Sequence, residues 1–224
     1  MVQVQVSRRT GFTGSALTRL LARLTDIDVP ESRQAFADRL SHWVSWTDAI
    51  SLSAVLNGAP AAGPGAASRL SSAEEAECAR IRASLVSAIT EGGASGADFP
   101  PYKQRYLSRQ QAMEGAIGPL RGRLRAKLAA RSPALSRLAA VDAVMEQALD
   151  PHEHRLLATV PGLLEKHFKR LRQSAQAQVP ASEDEAQPDA WQDAFRKNMQ
   201  AVLLAELEIR FQPIEGLLEA LRSS

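Results

Sequence analysis

Alanine and leucine fill 65 of the 224 positions of this chain, while valine, isoleucine and threonine together fill 26. That imbalance constrains the backbone more than any motif does. Alanine and leucine lose little on entering a helix, and a chain short of β-branched residues has little from which to build a half-buried sheet. The fold class expected is all-α, a bundle of about six to eight helices. Its two linkers allow an extended or oligomeric form.

The chain is long enough to bury a substantial core. None of its apolar runs approaches the roughly 20 residues that a bilayer span needs. The opening segment MVQVQVSRRTG has no apolar stretch of the signal-peptide kind, so export is not expected. The lone cysteine, Cys78, leaves no internal disulfide and no thiolate metal cluster within one chain. The expected location is cytoplasmic.

Periodicity and punctuation divide the chain. Residues 1–56 read as an N-terminal arm and a helical hairpin. In the first helix, about 14–25, Leu17, Leu20, Leu21 and Leu24 form an i, i+3, i+4, i+7 stripe. A second helix starts near Glu31 and either continues to Leu56 or restarts after Ser45, with Asn57-Gly58 as its stop. Residues 57–71, rich in Gly, Pro and Ala, read as a flexible linker. The helical bundle is assigned to 72–224. Within it Ser72 and Glu75 form a capping-box pattern. A segment over 100–131 is interrupted at Gly118-Pro119. Ser132-Pro133 and Asp150-Pro151 each open a helix, Pro161 kinks one, and Pro213 kinks or ends the last. An acidic, Pro-containing stretch at about 174–188 reads as a disordered loop.

The net charge is only +2, but it is unevenly placed. Residues 100–131 hold Lys103, Arg105, Arg109, Arg121, Arg123, Arg125, Lys127 and Arg131 against Glu114 alone, 8 − 1 = +7. Residues 174–190 carry four acids and no base. Clustered guanidinium and ammonium groups are what phosphate or carboxylate contacts require. Arg105, Arg109, Arg121, Arg123, Arg125 and Lys127 are therefore the candidate residues for binding a nucleic acid or an acidic partner. Their spread over more than one helix face also fits a plainer role, docking the chain's own acids. Asp142, near the apolar stripe of its helix, is either a carboxylate paired with one of these arginines or a solvated edge residue.

Nothing here composes a catalytic centre. His152 and His154 are i, i+2 on a helix and point about 200° apart. His167 beside Phe168 reads as a packing histidine, and Cys78 has no base to activate it. Thr10-Gly11-Phe12-Thr13-Gly14 reads as a loop before a helix. Trp43, Trp46 and Trp191 read as core or interface anchors. No cofactor, no metal and no enzymatic activity are expected. A nuclease is the reading that a hidden constellation would require.

Four stretches carry a family likeness: DIDVPESRQAFADRLSHWVSWTDAISLSAVL (26–56), PPYKQRYLSRQQAMEGAIGPLR (100–121), LLATVPGLLEKHFKRL (156–171) and MQAVLLAELEIRFQPIEGLLEALR (199–222). They resemble the proteobacterial family known as domain of unknown function 3348. The resemblance covers most of the chain outside the two linkers and contains no catalytic motif. It implies a gene context with a MotA-like membrane protein, an OmpA-like peptidoglycan-binding protein and another soluble protein. That set is similar to the type III Zorya antiphage defence system, in which this family supplies a cytosolic component. The function so implied is a non-enzymatic helical subunit that contacts the neighbouring soluble protein or the cytoplasmic tail of the MotA-like protein. The alternative is a sequence-nonspecific DNA-binding effector using the basic segment 103–131. A homo-oligomer is a further expectation, since exposed apolar stripes need covering.

Overall fold

A computed structural model describes residues 15–26, 36–58, 72–91, 96–177 and 190–223; the side chains of Phe36, Arg39 and Ser72 lie outside it. The N-terminal arm, the 10–14 glycine motif, the helix start at Glu31, almost all of the 57–71 linker, the Ser72 cap and most of the acidic 174–188 stretch therefore fall outside the described residues. Among those described, eight helices and no strand occur: α1 (Ala16–Thr25), α2 (Phe36–Trp43), α3 (Trp46–Asn57), α4 (Ser72–Thr90), α5 (Pro100–Arg131), α6 (Pro133–Leu157), α7 (Val160–Ala177) and α8 (Ala190–Arg222).

Local chemistry sets several of these boundaries. Ser15 accepts from the Thr18 amide at 3.2 Å and caps α1. Ser45 restarts the chain as α3, its side chain accepting from the Asp48 amide while the Asp48 carboxylate accepts from the Ser45 amide. Ser132 caps α6 with Pro133 at its first position. Gly58 closes α3 by donating to the Ala54 carbonyl at 2.8 Å.

Two prolines expected to break the helical run, Pro119 and Pro151, do not, and Pro213 does not end the last helix. α5 runs without a break through Pro119, α6 through Pro151 and α8 through Pro213. Each proline removes one backbone bond to the residue four positions back. Gly115 and Gln147, four residues before Pro119 and Pro151, are exposed residues, where a carbonyl without its helix bond is best tolerated. The break expected at Asp150-Pro151 falls instead at Ala158-Thr159. There the Thr159 hydroxyl bonds the Leu156 carbonyl, and Pro161 sits in the first turn of α7, where no amide donor is needed.

The long helices α5 and α8 form the spine and pack on each other. Tyr102, Tyr106, Met113, Leu120, Leu124 and Leu128 of α5 meet Phe195, Met199, Val202, Leu203, Leu207 and Phe211 of α8, all essentially buried. α4, α6 and α7 flank this pair. Phe99, Tyr102, Phe168 and Phe195 close one end as an aromatic cluster, with Tyr102 and Phe195 centroids 5.1 Å apart at 88°. The N-terminal helices divide: α1 packs on α7 and α8, whereas α2 and α3 lie along α6.

Candidate interaction surfaces

α5 and its neighbours decide what becomes of the six candidate cations. Arg121 grips Asp142 of α6 with Nε and Nη2 at 2.8 and 2.7 Å and reaches Glu146 at 3.4 Å. Arg125 lies one turn on, 2.5 Å from Glu146 and 3.7 Å from Asp142. Burial disfavours the Arg121 charge, but Asp142 and Glu146 more than offset that and hold its pKa above the ordinary arginine value. On the opposite flank, Arg123 pairs with Glu77 of α4 at 2.7 Å and Lys127 with Glu74. Four of the six thus meet the chain's own carboxylates. Asp142 is the paired, partly buried carboxylate rather than a solvated edge residue.

Arg105 and Arg109 have different surroundings. Arg105 donates to the carbonyls of Ile89, at 3.3 Å, and Glu91, so it caps the C-terminus of α4. Arg109, one turn further on the same face, has no hydrogen bond or ion pair among the described residues, and its Nε is buried without a partner. Burial, then repulsion from Arg109, lowers the Arg105 pKa.

A buried polar network lies between α5 and α8. Glu206 is 0% exposed and accepts from the Tyr106 hydroxyl at 2.6 Å, from the Gln110 amide at 3.1 Å and from Arg210 Nε at 3.0 Å. Arg210 also reaches Glu114 at 3.3 Å and Glu153 at 3.4 Å. Burial, then the Glu206 charge, keeps the Tyr106 phenol protonated far above its ordinary range. Burial raises Glu153, against the pull of Arg210. The network opens onto a cavity of about 420 Å³ beside the α6–α7 turn, lined in part by Gln110, Glu114, His154, Glu165 and Arg210. Among the described residues, no group of three His, Cys, Asp or Glu has the geometry to hold a metal. His152 stacks on Trp43 with centroids 5.7 Å apart, whereas His154 lies 3.1 Å from Glu114. Sequence reading missed Glu206, Gln110 and Arg210. The signal was an acid and an arginine four residues apart inside the α8 stripe, facing the one gap in the α5 stripe.

A third feature is apolar. α3 has no buried residue, and Asp48 is its only charge. Leu52 and Val55 are half-buried where α3 lies along α6, while Trp46 at 80% and Ile50 at 53% exposure stand one turn apart on another face, and Leu56 is 51% exposed near the helix end. The other two tryptophans are covered, Trp43 by His152 and Trp191 by Phe168.

The fold and these surfaces define an all-helical bundle with a buried carboxylate–guanidinium centre and an outward apolar helix. The chain belongs to the family described as Protein of unknown function (DUF3348), whose model matches residues 1–223. No curated protein and no solved structure matches it. No described helix is long and apolar enough to cross a membrane.

Proposed function

We propose that this chain is a non-enzymatic interaction subunit of a Zorya-like antiphage defence system. It works in the cytoplasm by binding the neighbouring soluble subunit or the cytoplasmic tail of the MotA-like membrane protein. The observation that carries the interaction reading is the outer face of α3. Trp46, left 80% exposed, and Ile50 one turn further on, 53% exposed, are apolar surface without a partner among the described residues, and such patches mark protein contacts. The defence context rests on the resemblance of the four stretches quoted above.

The DNA-binding alternative loses most of its surface. Arg121, Arg123, Arg125 and Lys127 each face a carboxylate of α4 or α6, and those carboxylates repel phosphate. Co-purification with each neighbouring component tests the proposal. Wild type is expected to retain one of them, and Trp46→Lys with Ile50→Glu to lose it. Failure of wild type to hold any component refutes the proposal. Salt-sensitive binding of labelled duplex DNA, weakened by Arg121→Gln and Arg125→Gln, would put the DNA reading in its place.

A further inference from the structure

Arg105 and Arg109 are i, i+4 on α5, so their side chains stand roughly 5–6 Å apart on one face. Arg105 spends its bonds on backbone carbonyls at the end of α4, and no carboxylate among the described residues pairs with either arginine. The acid nearest in sequence to that helix end, Glu91, accepts instead from the Ser87 hydroxyl. Two guanidiniums side by side repel each other, a cost that an oxyanion reaching the half-buried pair relieves; Arg109 Nε itself is enclosed and has no acceptor among the described residues.

We propose that the Arg105–Arg109 pair is a docking point for an acidic segment of a protein partner, one that presents neighbouring Asp or Glu carboxylates to the two guanidiniums. A bidentate carboxylate matches the planar fork of an arginine, and two such groups one turn apart match two carboxylates on a peptide. A nucleic acid fits this place less well. A duplex carries a charge about every 1.7 Å along its axis and is held by several cations in a row. Here the row stops after two, because Arg121, Arg123, Arg125 and Lys127 further along α5 are held by Asp142, Glu146, Glu77 and Glu74. Lys103, on the side of α5 that lines the cavity, does not extend it.

The proposal names the chemistry of a partner and so rests on the interaction reading, but it concerns a different surface from α3. The test uses the full chain and a fluorescein-labelled hexaglutamate peptide, followed by anisotropy at about 20 mM salt, where exposed charges are little screened. Wild type is expected to bind. Arg109→Gln, and the double change with Arg105→Gln, are expected to weaken binding at least tenfold. Arg109→Lys, which keeps the charge but not the fork, is expected to recover only part of it. Arg155→Gln, at an exposed arginine of α6, removes the same charge elsewhere and is expected to change little. Trp46→Lys is expected to leave peptide binding intact, so failure of the α3 surface and failure of this one are read separately. A melting temperature unchanged in Arg109→Gln shows that the fold is kept. No binding by wild type, equal losses in Arg155→Gln and Arg109→Gln, or full recovery in Arg109→Lys overturns the proposal. So does labelled duplex DNA that outcompetes the peptide through the same two arginines.

Discussion

Glu206→Ala perturbs the centre of the bundle most directly. Glu206 is fully buried and accepts from Tyr106, Gln110 and Arg210. Its loss leaves a buried hydroxyl and a buried amide without acceptors, at about 1–3 kcal/mol each. Arg210, whose side chain is 8% exposed, loses its nearest counter-charge but keeps Glu114 at 3.3 Å and Glu153 at 3.4 Å. Removing one partner of a buried pair costs about 3–5 kcal/mol, and the two remaining carboxylates hold the whole loss to about 4 kcal/mol. At about 2–4 °C per kcal/mol for a chain of this size, the melting temperature falls by about 8–16 °C. Glu206→Gln keeps an acceptor for Tyr106 and gives up only the charge, so about half that loss is expected. Tyr106→Phe is expected to cost about 1.5 kcal/mol in wild type and little in the Glu206→Ala background, because the two share one bond. Urea unfolding followed by far-ultraviolet circular dichroism, compared at equal slope, measures the wild type and the four variants. A Glu206→Ala loss below about 1 kcal/mol, or a Tyr106→Phe cost unchanged in the double variant, refutes the reasoning.

Other expected outcomes follow from the same packing. Asp142→Ala takes the two-point partner from Arg121, leaving it Glu146 at 3.4 Å while Arg125 keeps Glu146 at 2.5 Å, and is expected to cost about 2 kcal/mol in urea unfolding, reduced from the fully buried value by partial exposure. His167 is buried, accepts from Asn198 at 2.9 Å, and has its pKa lowered first by burial and then by Arg170. Its unfolded form therefore takes up a proton near 6.5 while the folded form resists until lower pH. The contribution of neutral His167 is complete above that value and is lost as pH falls from it toward the lowered folded pKa, at up to about 1.4 kcal/mol per pH unit. His167→Gln is expected to flatten that part of the stability–pH curve, which a set of urea titrations between about pH 5 and 7.5 reads directly. Trp46→Lys is expected to change stability by less than about 0.5 kcal/mol, because the ring is mostly in water; a larger loss in urea unfolding would mean that α3 needs Trp46 for its own packing.

The helices were legible because their signals are local. Tyr102, Tyr106, Met113, Ile117, Leu120, Leu124 and Leu128 recur every three or four residues along α5, with one gap, and form its buried face. The one gap in that stripe, at Gln110, marks the position where α5 donates to Glu206. Ser45 and Ser132 cap helices because their side chains need only the next turn of backbone. What stayed hidden depends on neighbours. Whether Pro119, Pro151 or Pro213 breaks a helix is decided by whether the stranded carbonyl is hydrated and whether packing holds the two halves in line, and neither is written in the proline. Glu206 and Arg210 stand four apart in a stripe with Val202, Leu203 and Leu207, a pattern that looks like a polar interruption until Tyr106 and Gln110 face it. Asp142 was open between two roles because its sequence position gives its helix face but not the helix opposite.

The excess of positive charge on α5 shows the same dependence on neighbours. Counted along the chain, residues 100–131 carry +7. In the bundle, α4 sets Glu74 and Glu77 against Lys127 and Arg123, and α6 sets Asp142 and Glu146 against Arg121 and Arg125. Arg131 bonds the Leu221 carbonyl of α8 and Arg105 the carbonyls of α4. The pairs at the C-terminal half of α5 thus fix how α4 and α6 lie along it, since sliding either helix by one turn separates an arginine from its carboxylate. A polyanion bidding for this half of α5 must displace carboxylates that stay tethered on α4 and α6 and continue to repel it. The energetic resistance grows with each pair opened, whereas at Arg109 no carboxylate among the described residues has to be displaced. The same arginine-rich segment is therefore two things in succession: at Arg105 and Arg109 a pair of guanidiniums that no carboxylate among the described residues pairs with, and, from Arg121 onward, part of the internal wiring of the bundle.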